Sequence, residues 1–245
     1  ANGQHYSKID SFSDGKFVIT WQSYNQLGNS NWNIYAQIFN NDGTKNGSEF
    51  LVNTVTTNGQ IGSTIATLSD DKFIISWVAD GDQDSDLLGI FAQIFNSDGT
   101  KNGSEFLVNT YTSSVQIDPE ITQLADDSFV ITWRSYEQDG DVGGIYAQVF
   151  NSDGTKNGGE FLVNTYTSLD QLYPSISALG TDKFIITWES DGQDGDFNGI
   201  YAQVFNNDGT KIGIEFLVNT FFTNNQFSPK ITSISTNKFI ITWQS

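Results

Sequence analysis

The chain repeats itself about every 55 residues, and this periodicity limits the folds that it can form. A phrase of the type FIITW occurs five times and ends each time in tryptophan. These tryptophans are 56, 56, 55 and 55 residues apart: Trp21, Trp77, Trp133, Trp188 and Trp243. The period predicts one repeat array over residues 1–245. Its units are approximately 4–59, 60–115, 116–170 and 171–225, with a partial unit at 226–245.

Each unit contains four short segments with the pattern of β-strands, separated by turn residues. In the order of the chain they are of the types ITQLA, FVITW, IYAQVF and EFLVNT. Alternation in FIITW places Phe184, Ile186 and Trp188 on one face, and both faces of this strand are largely apolar. Strands buried on both faces suit four-stranded antiparallel sheets that stack face to face. We therefore predict an all-β, β-propeller-like fold of tandem four-stranded repeats.

The turn between the third and fourth strands contains an Asp-Gly pair in all four complete units. Glycine tolerates a positive φ there, and the aspartate can accept a hydrogen bond from the backbone. The pairs begin at Asp42, Asp98, Asp153 and Asp208. This pattern predicts a hairpin at each place.

The fifth unit stops after its second strand, and residues 1–23 correspond in sequence to residues 223–245. The beginning of the chain therefore repeats a first and second strand and does not supply the missing third and fourth ones. We interpret the chain as part of a longer or incomplete array, or as one that self-associates through the terminal half-unit. A four-unit ring with a redundant strand pair is the alternative.

The charge of the chain excludes some classes of function. It has 11 basic and 29 acidic residues, a formal charge of −18, which disfavours nucleic acid as a partner and favours cations. Cysteine and methionine are absent, so disulfides and thiolate metal sites are excluded. No apolar stretch reaches the roughly 18 residues of a membrane-spanning helix, and we predict no membrane insertion.

Acidic residues alternate with glycine in the loop between the second and third strands of three units. Several carboxylates on such a loop can converge on one hard cation, which makes calcium the candidate cofactor. The candidate metal ligands are Asp80, Asp82, Asp84, Asp86, Glu137, Asp139, Asp141, Asp191, Asp194 and Asp196. The alternative is an acidic, solvated hairpin tip. In the first unit Gly28 and Ser30 replace the acidic residues, so we expect this loop not to bind calcium.

Aromatic residues in the same loops are candidates for ligand binding. The repeated tryptophans lie in apolar strands and are expected in the core. Trp32 differs because it lies in the polar segment NSNWN and has no counterpart in other units. With Tyr24 and Tyr136, which lie in equivalent loops, it forms the predicted ligand-binding set.

The sequence offers few residues for catalysis. His5 is the single histidine, and a nucleophile elbow, a phosphate-binding loop and a cluster of metal-binding histidines are all absent. Paired carboxylates can hydrolyse glycosides, but such an enzyme needs one asymmetric site, whereas these acidic residues recur at the same positions. The sequence therefore predicts that the chain is not an enzyme.

The motifs T-W-x-S, Q-D-G, G-I-Y-A-Q-x-F-N, G-x-E-F-x-V-N-T and Q-x-x-P together resemble a tandem repeat of very large secreted and surface proteins of bacteria, including cyanobacteria. These proteins often carry calcium-binding repeats of the hemolysin type. The resemblance covers the whole chain, with departures at Ser76 and in the first-unit loop. It implies an extracellular or cell-surface location and a structural or adhesive role.

These observations lead to one functional prediction and two alternatives. The prediction is a non-catalytic extracellular structural or adhesive module, stabilised by calcium, with an extracellular surface or a glycan as partner. The first alternative is a multivalent carbohydrate-binding propeller, a lectin, whose repeated weak sites would add avidity. The second, more remote alternative is a glycoside hydrolase.

Overall fold

A computed structural model describes residues 3–81 and 87–245. The described residues form eighteen β-strands. Contacts divide the chain into two compact units, Ala1–Thr112 and Ser113–Ser245, here called the N-terminal unit and the C-terminal unit. The described part of the chain contains no helix long and apolar enough to cross a membrane.

The N-terminal unit contains two antiparallel sheets of four strands each, and in each sheet the strands follow one another in chain order. The first sheet consists of β1 (Gln4–Ser11), β2 (Phe17–Tyr24), β3 (Trp32–Phe39) and β4 (Lys45–Leu51). The second consists of β5 (Gln60–Leu68), β6 (Lys72–Asp80), β7 (Leu88–Asn96) and β8 (Lys101–Leu107).

The C-terminal unit contains two further four-stranded sheets and a two-stranded one. The third sheet consists of β9 (Gln116–Gln123), β10 (Phe129–Tyr136), β11 (Gly143–Phe150) and β12 (Phe161–Leu162). The fourth consists of β13 (Gln171–Leu179), β14 (Lys183–Asp191), β15 (Asn198–Asn206) and β16 (Lys211–Leu217), and the last pair is β17 (Phe227–Ser235) and β18 (Lys238–Gln244). The prediction of tandem four-stranded antiparallel repeats is confirmed.

The Asp-Gly turns have the conformation that the sequence predicts. In the first of them Gly43 has a φ of 81°, and Asp42 Oδ1 accepts a hydrogen bond of 3.0 Å from the backbone N–H of Thr44. The same bond recurs at the other three turns, at 2.9 Å each. Local turn chemistry therefore fixes the hairpin between the third and fourth strands.

The core lies between stacked sheets within each unit. In the C-terminal unit Val130 and Val149 of the third sheet pack in one cluster with Phe184, Trp188 and Phe205 of the fourth. Burial of both faces of these strands explains why their sequences are apolar at successive positions rather than at alternate ones.

The tryptophans of the repeat are not all in the same environment. Those of the second, third and fourth sheets are fully buried, Trp21 is half-buried, and Trp243 is 38 % exposed. Trp243 lies on β18, which pairs with β17 alone. The expected core role of the repeated tryptophan is confirmed in the second, third and fourth sheets.

Every first strand contains a β-bulge near its beginning. The pairing of the first strand with the second shifts register in all five sheets. A residue with positive φ lies within each shift: Tyr6 (54°), Gly62 (62°), Asp118 (57°), Tyr173 (49°) and Ser228 (54°). We call this residue the bulge position. A bulge turns a side chain away from the direction that the strand would give it.

Candidate functional site

In each four-stranded sheet three kinds of position meet at one end, here called the bulge end. They are the bulge position of the first strand, the residue after tryptophan on the second strand, and the first residue of the third strand. In the third sheet, for example, Arg134 lies opposite Ile117, next to the bulge, and Tyr136 lies opposite Gly143. The antiparallel order of the strands therefore brings these positions together in each four-stranded sheet.

The repeat is least regular at the bulge end. The residues that follow tryptophan are Gln22, Val78, Arg134, Glu189 and Gln244, whereas the FIITW-type strand itself hardly varies. The bulge position varies as widely, from tyrosine to glycine, aspartate and serine. The symmetry that the core imposes is broken at this end of the sheets.

Arg134 is buried, and its ion pair crosses between two sheets of the C-terminal unit. Its Nη2 donates a hydrogen bond of 2.6 Å to Asp170 Oδ1, just before β13, and its guanidinium lies 4.0 Å from the centre of the Tyr136 ring. Gly143 provides the space, because a Cβ there would lie 2.8 Å from both Arg134 Nε and Asp170 Oδ1. Arg134 Nε is buried and has no hydrogen-bond partner among the described residues.

Asp118 occupies the bulge position of the third sheet. Burial raises the pKa of its carboxyl group, and the nearby charge of Arg134 partly offsets this effect by lowering it. Glu120, which accepts a hydrogen bond of 2.7 Å from Lys230 Nζ, raises the pKa of Asp118 further. The neutral, proton-carrying form of Asp118 is thus favoured relative to an aspartate in water.

Glu189 is 1 % exposed and joins the fourth sheet to β17. One carboxyl oxygen accepts a hydrogen bond of 2.5 Å from the N–H of Ser228, and the other accepts one of 3.0 Å from Asn198 Nδ2. Burial raises the pKa of this carboxyl group, and the charge of Arg134 lowers it. Its side chain is held rigidly but has little access to solvent.

Asp118, Arg134, Asp170 and Glu189 are here called the polar cluster. Asp118 can donate a proton because its pKa is raised, and Asp170 presents a carboxylate that Arg134 orients. The side chain of Asp170 is 29 % exposed, so a ligand can reach it. One proton donor and one oriented carboxylate are the minimal groups for hydrolysis of a glycosidic bond.

The predicted calcium ligands of the second repeat, residues 60–115, are only partly within the described residues. Asp82, Asp84 and Asp86 lie outside them. Asp80 ends β6 with its side chain exposed, and its N–H donates a hydrogen bond of 2.8 Å to the carbonyl of Gly59.

The loops of the third and fourth sheets have closely similar geometry. In the third sheet Asp139 Oδ1 accepts a 3.3 Å hydrogen bond from the N–H of Asp141, and Asp141 Oδ2 accepts one of 3.0 Å from the N–H of Leu169. In the fourth sheet Asp194 Oδ1 accepts the equivalent hydrogen bond from the N–H of Asp196. Asp196 Oδ2 accepts one from the N–H of Asn224.

The remaining carboxyl oxygens do not form a complete metal site. Asp139 Oδ2 and Asp194 Oδ2 are buried without a hydrogen-bond partner among the described residues. Glu137 is exposed, and Asp191 ends β14 with its N–H bonded to the carbonyl of Asp170. In the described part of the chain no three acidic or histidine side chains are grouped closely enough to hold a metal ion. Calcium binding stays a prediction.

The predicted ligand-binding set is divided between the two compact units: Tyr24 and Trp32 belong to the N-terminal unit and Tyr136 to the C-terminal unit. Tyr24 and Trp32 contact each other, with ring centres 5.2 Å apart, and His5 lies 5.3 Å from Trp32. Tyr136 belongs to the C-terminal unit and lies beside Arg134. Sequence reasoning missed the polar cluster altogether. Its signal was present in the residues that differ between repeats, at the position after tryptophan and at the bulge position, two residues after a glutamine that recurs in every repeat (Gln4, Gln60, Gln116, Gln171 and Gln226).

Comparison with known proteins finds likeness in structure alone. No family model matches the sequence, and no curated protein matches it. An α-L-arabinofuranosidase from Fusarium graminearum, solved with an iminosugar inhibitor, has a TM-score of 0.70 at 13 % identity, over 97 % of this chain and 74 % of that one. An endo-arabinase from Bacteroides thetaiotaomicron has a TM-score of 0.58 at 14 % identity, over 98 % and 88 %.

A third structure, the NanB sialidase from Streptococcus pneumoniae, has a TM-score of 0.65 at 8 % identity, over 96 % of this chain and 55 % of that one. At such identities the likeness defines the fold. It confirms the prediction of an all-β, propeller-like architecture.

The same neighbours overturn two predictions from the sequence. The prediction of a non-catalytic structural or adhesive module is wrong, and so is the prediction that the chain is not an enzyme, because the similar structures are glycoside-cleaving enzymes. The error has a physical reason. The acidic loop residues recur at the same positions in the repeats, whereas the repeats differ from one another at the bulge end, in residues such as Asp118, Arg134 and Glu189.

Proposed function

We propose that the chain is a glycoside hydrolase that cleaves an arabinose-containing glycan at the polar cluster. The observation that carries this proposal is the break in repeat symmetry, which places two carboxyl groups with raised pKa and an arginine–carboxylate pair at one end of the C-terminal unit. The arabinose comes from the substrates named for the similar structures, an arabinofuranosidase and an endo-arabinase.

Asp118 is the proton donor in this proposal. As the bond between the anomeric carbon and the glycosidic oxygen breaks, the proton of Asp118 passes to that oxygen and the leaving sugar departs as an alcohol. The raised pKa of Asp118 keeps the proton available at a higher pH than an ordinary aspartate would.

Asp170 is the second carboxyl group. Its carboxylate faces the positive charge that develops on the sugar ring. A water molecule completes the hydrolysis: its oxygen bonds to the anomeric carbon, and its proton passes to Asp170, or to Asp118 where Asp170 has first bonded to the sugar. Inversion of the anomeric configuration in the product indicates that the carboxylate takes the proton of water. Retention indicates that the carboxylate bonds to the sugar first.

The other members of the polar cluster position these groups. Arg134 holds Asp170 through the 2.6 Å hydrogen bond. Glu189 is too deeply buried to touch a substrate. It acts through its hydrogen bonds to Ser228 and Asn198, which fix the bulge next to the cluster.

An extracellular or cell-surface location belongs to the same proposal. The resemblance of the repeat motifs to those of secreted and surface proteins supports it, and a polysaccharide outside the cell is accessible to such a protein. Detection of the chain in culture medium or on intact cells of its source tests this part.

Hydrolysis of linear arabinan and of 4-nitrophenyl α-L-arabinofuranoside by the purified chain tests the activity. We expect Asp118→Asn and Asp170→Asn to lower kcat by about 100-fold or more, the usual contribution of a general acid or base. Asp153→Asn is the matched control, because Asp153 lies in the same repeat but in an exposed Asp-Gly turn. The proposal fails if the folded chain hydrolyses neither substrate, or if both variants keep full activity.

A further inference from the structure

The bulge end of the first sheet carries aromatic side chains where the third sheet carries the polar cluster. The bulge position is Tyr6 in place of Asp118, and the third strand begins with Trp32 in place of Gly143. Tyr24 and His5 lie beside them. These four residues, His5, Tyr6, Tyr24 and Trp32, are here called the aromatic site.

The rings of the aromatic site form a connected set. Trp32 lies between Tyr24 (5.2 Å between ring centres, 54° between planes) and His5 (5.3 Å, 69°), and His5 also contacts Tyr6 (6.1 Å). Gly3 lets the backbone pass beside them, since a Cβ there would lie 2.9 Å from His5 Nε2. The carbonyl of Gly3 accepts a hydrogen bond of 2.9 Å from the N–H of Tyr24, which fixes the arrangement.

These rings are more exposed than a purely structural cluster requires. Tyr6 is 74 % exposed and Tyr24 is 39 % exposed, while Trp32 is half-buried. Tyr6 also holds a φ of 54°, a left-handed conformation that disfavours a bulky side chain. Backbone strain that displays a large aromatic ring to solvent indicates a binding role rather than a packing role.

We propose that the aromatic site binds a saccharide, with a C–H face of one sugar ring against Trp32 and Tyr24. The phenol groups and His5 add hydrogen-bond donors and acceptors at the rim, as a ring with several hydroxyl groups requires. The net charge of −18 disfavours an anionic ligand such as nucleic acid, and a neutral glycan avoids this repulsion. The inference rests on the proposed function only for the choice of arabinan as the glycan.

Titration with a linear α-1,5-linked arabinopentaose, followed by calorimetry and tryptophan fluorescence, tests the inference. The informative variant is Trp32→Leu, because the second sheet carries Leu88 at the equivalent first residue of its third strand. We expect about a tenfold weaker Kd, the usual contribution of one aromatic contact. Tyr24→Asp copies Asp80 of the second sheet and should weaken binding similarly.

Trp243→Leu is the matched control, since it removes an exposed tryptophan of β18 in the other unit. The inference holds if Trp32→Leu weakens binding while the control and the melting temperature stay near those of the parent. It is overturned if the parent does not bind the pentasaccharide, or if Trp32→Leu binds as tightly as the parent.

The result separates this inference from the proposed hydrolysis. Binding that depends on Trp32 in a chain without hydrolytic activity supports the aromatic site and removes the proposed function. The opposite result is hydrolysis of the small chromogenic arabinofuranoside that depends on Asp118, together with pentasaccharide binding that does not depend on Trp32. This result supports the proposed function and removes the aromatic site.

Discussion

Replacement of Glu189 by glutamine tests the electrostatics of the polar cluster with little change in shape. The first repeat shows that glutamine fits, because Gln22 occupies the same position and its Oε1 accepts a hydrogen bond of 2.9 Å from the N–H of Gly62. Glu189 makes the equivalent bond to Ser228. The amide of Asn198 can turn to present its oxygen to the new NH₂ group, so both hydrogen bonds can be kept.

The expected change in stability follows from the raised pKa of Glu189. A carboxyl group whose pKa is higher in the folded than in the unfolded state contributes stability below its ordinary pKa of 4.5, and this is lost as the pH rises through the folded pKa. Each unit of difference costs about 1.4 kcal/mol once the group is fully ionised. Glu189→Gln avoids this cost and should be more stable than the parent at pH 7, with the difference disappearing near pH 4.

Urea denaturation followed by tryptophan fluorescence, repeated between pH 4 and pH 8, measures the effect. The reverse variant Gln22→Glu is the control. It places a carboxyl group at a site that is 6 % exposed, and it should lower the free energy of unfolding at pH 7 by about 1–3 kcal/mol. A Glu189→Gln variant that is less stable than the parent at pH 7, by an amount independent of pH, would refute this reasoning.

Three further predictions concern other parts of the chain. Gly143→Ala should displace Arg134 from its bond to Asp170 and lower both the hydrolysis rate and the melting temperature, because the buried guanidinium loses its partner; full activity would contradict the assigned role. Calcium should raise the melting temperature and chelator should lower it, and Asp139→Asn with Asp141→Asn should remove one site from a calorimetric titration; indifference to calcium and chelator would contradict the prediction. A synthetic peptide of residues 198–220, which contains β15 and β16, should bind along β18 and shift the fluorescence of Trp243 to the blue, because β15 pairs with the identical sequence KFIITW in β14. A proline in the centre of the peptide should abolish this binding.

The fold could be predicted because its determinants are local and repeated. Alternation of apolar residues defines each strand, and an Asp-Gly turn joins the third strand to the fourth. Trp188 is fully buried as predicted, whereas Trp21 is half-buried and Trp243 is 38 % exposed.

The polar cluster could not be predicted in the same way because it depends on contacts between repeats. Arg134 and Asp170 are 36 residues apart and meet only when the third and fourth sheets stack. The positive φ at Asp118 is also hidden, since the segment QIDPE reads as an ordinary strand. Residues that recur mark the strands, the turns and the acidic loops, whereas the polar cluster contains residues that differ between repeats.

In the second repeat, neither the bulge position nor the residue after tryptophan carries a polar side chain. Its bulge position is Gly62, which accepts a positive φ without strain, and the residue after tryptophan is Val78. The other four repeats keep a non-glycine residue at that position, although each left-handed residue costs about 1–2 kcal/mol. Packing of the sheets does not require these side chains, since the second repeat packs with glycine there. The two proposals give this strain a role at two of the four positions, since the side chains there would present an aromatic surface (Tyr6) and a proton donor (Asp118) to a ligand.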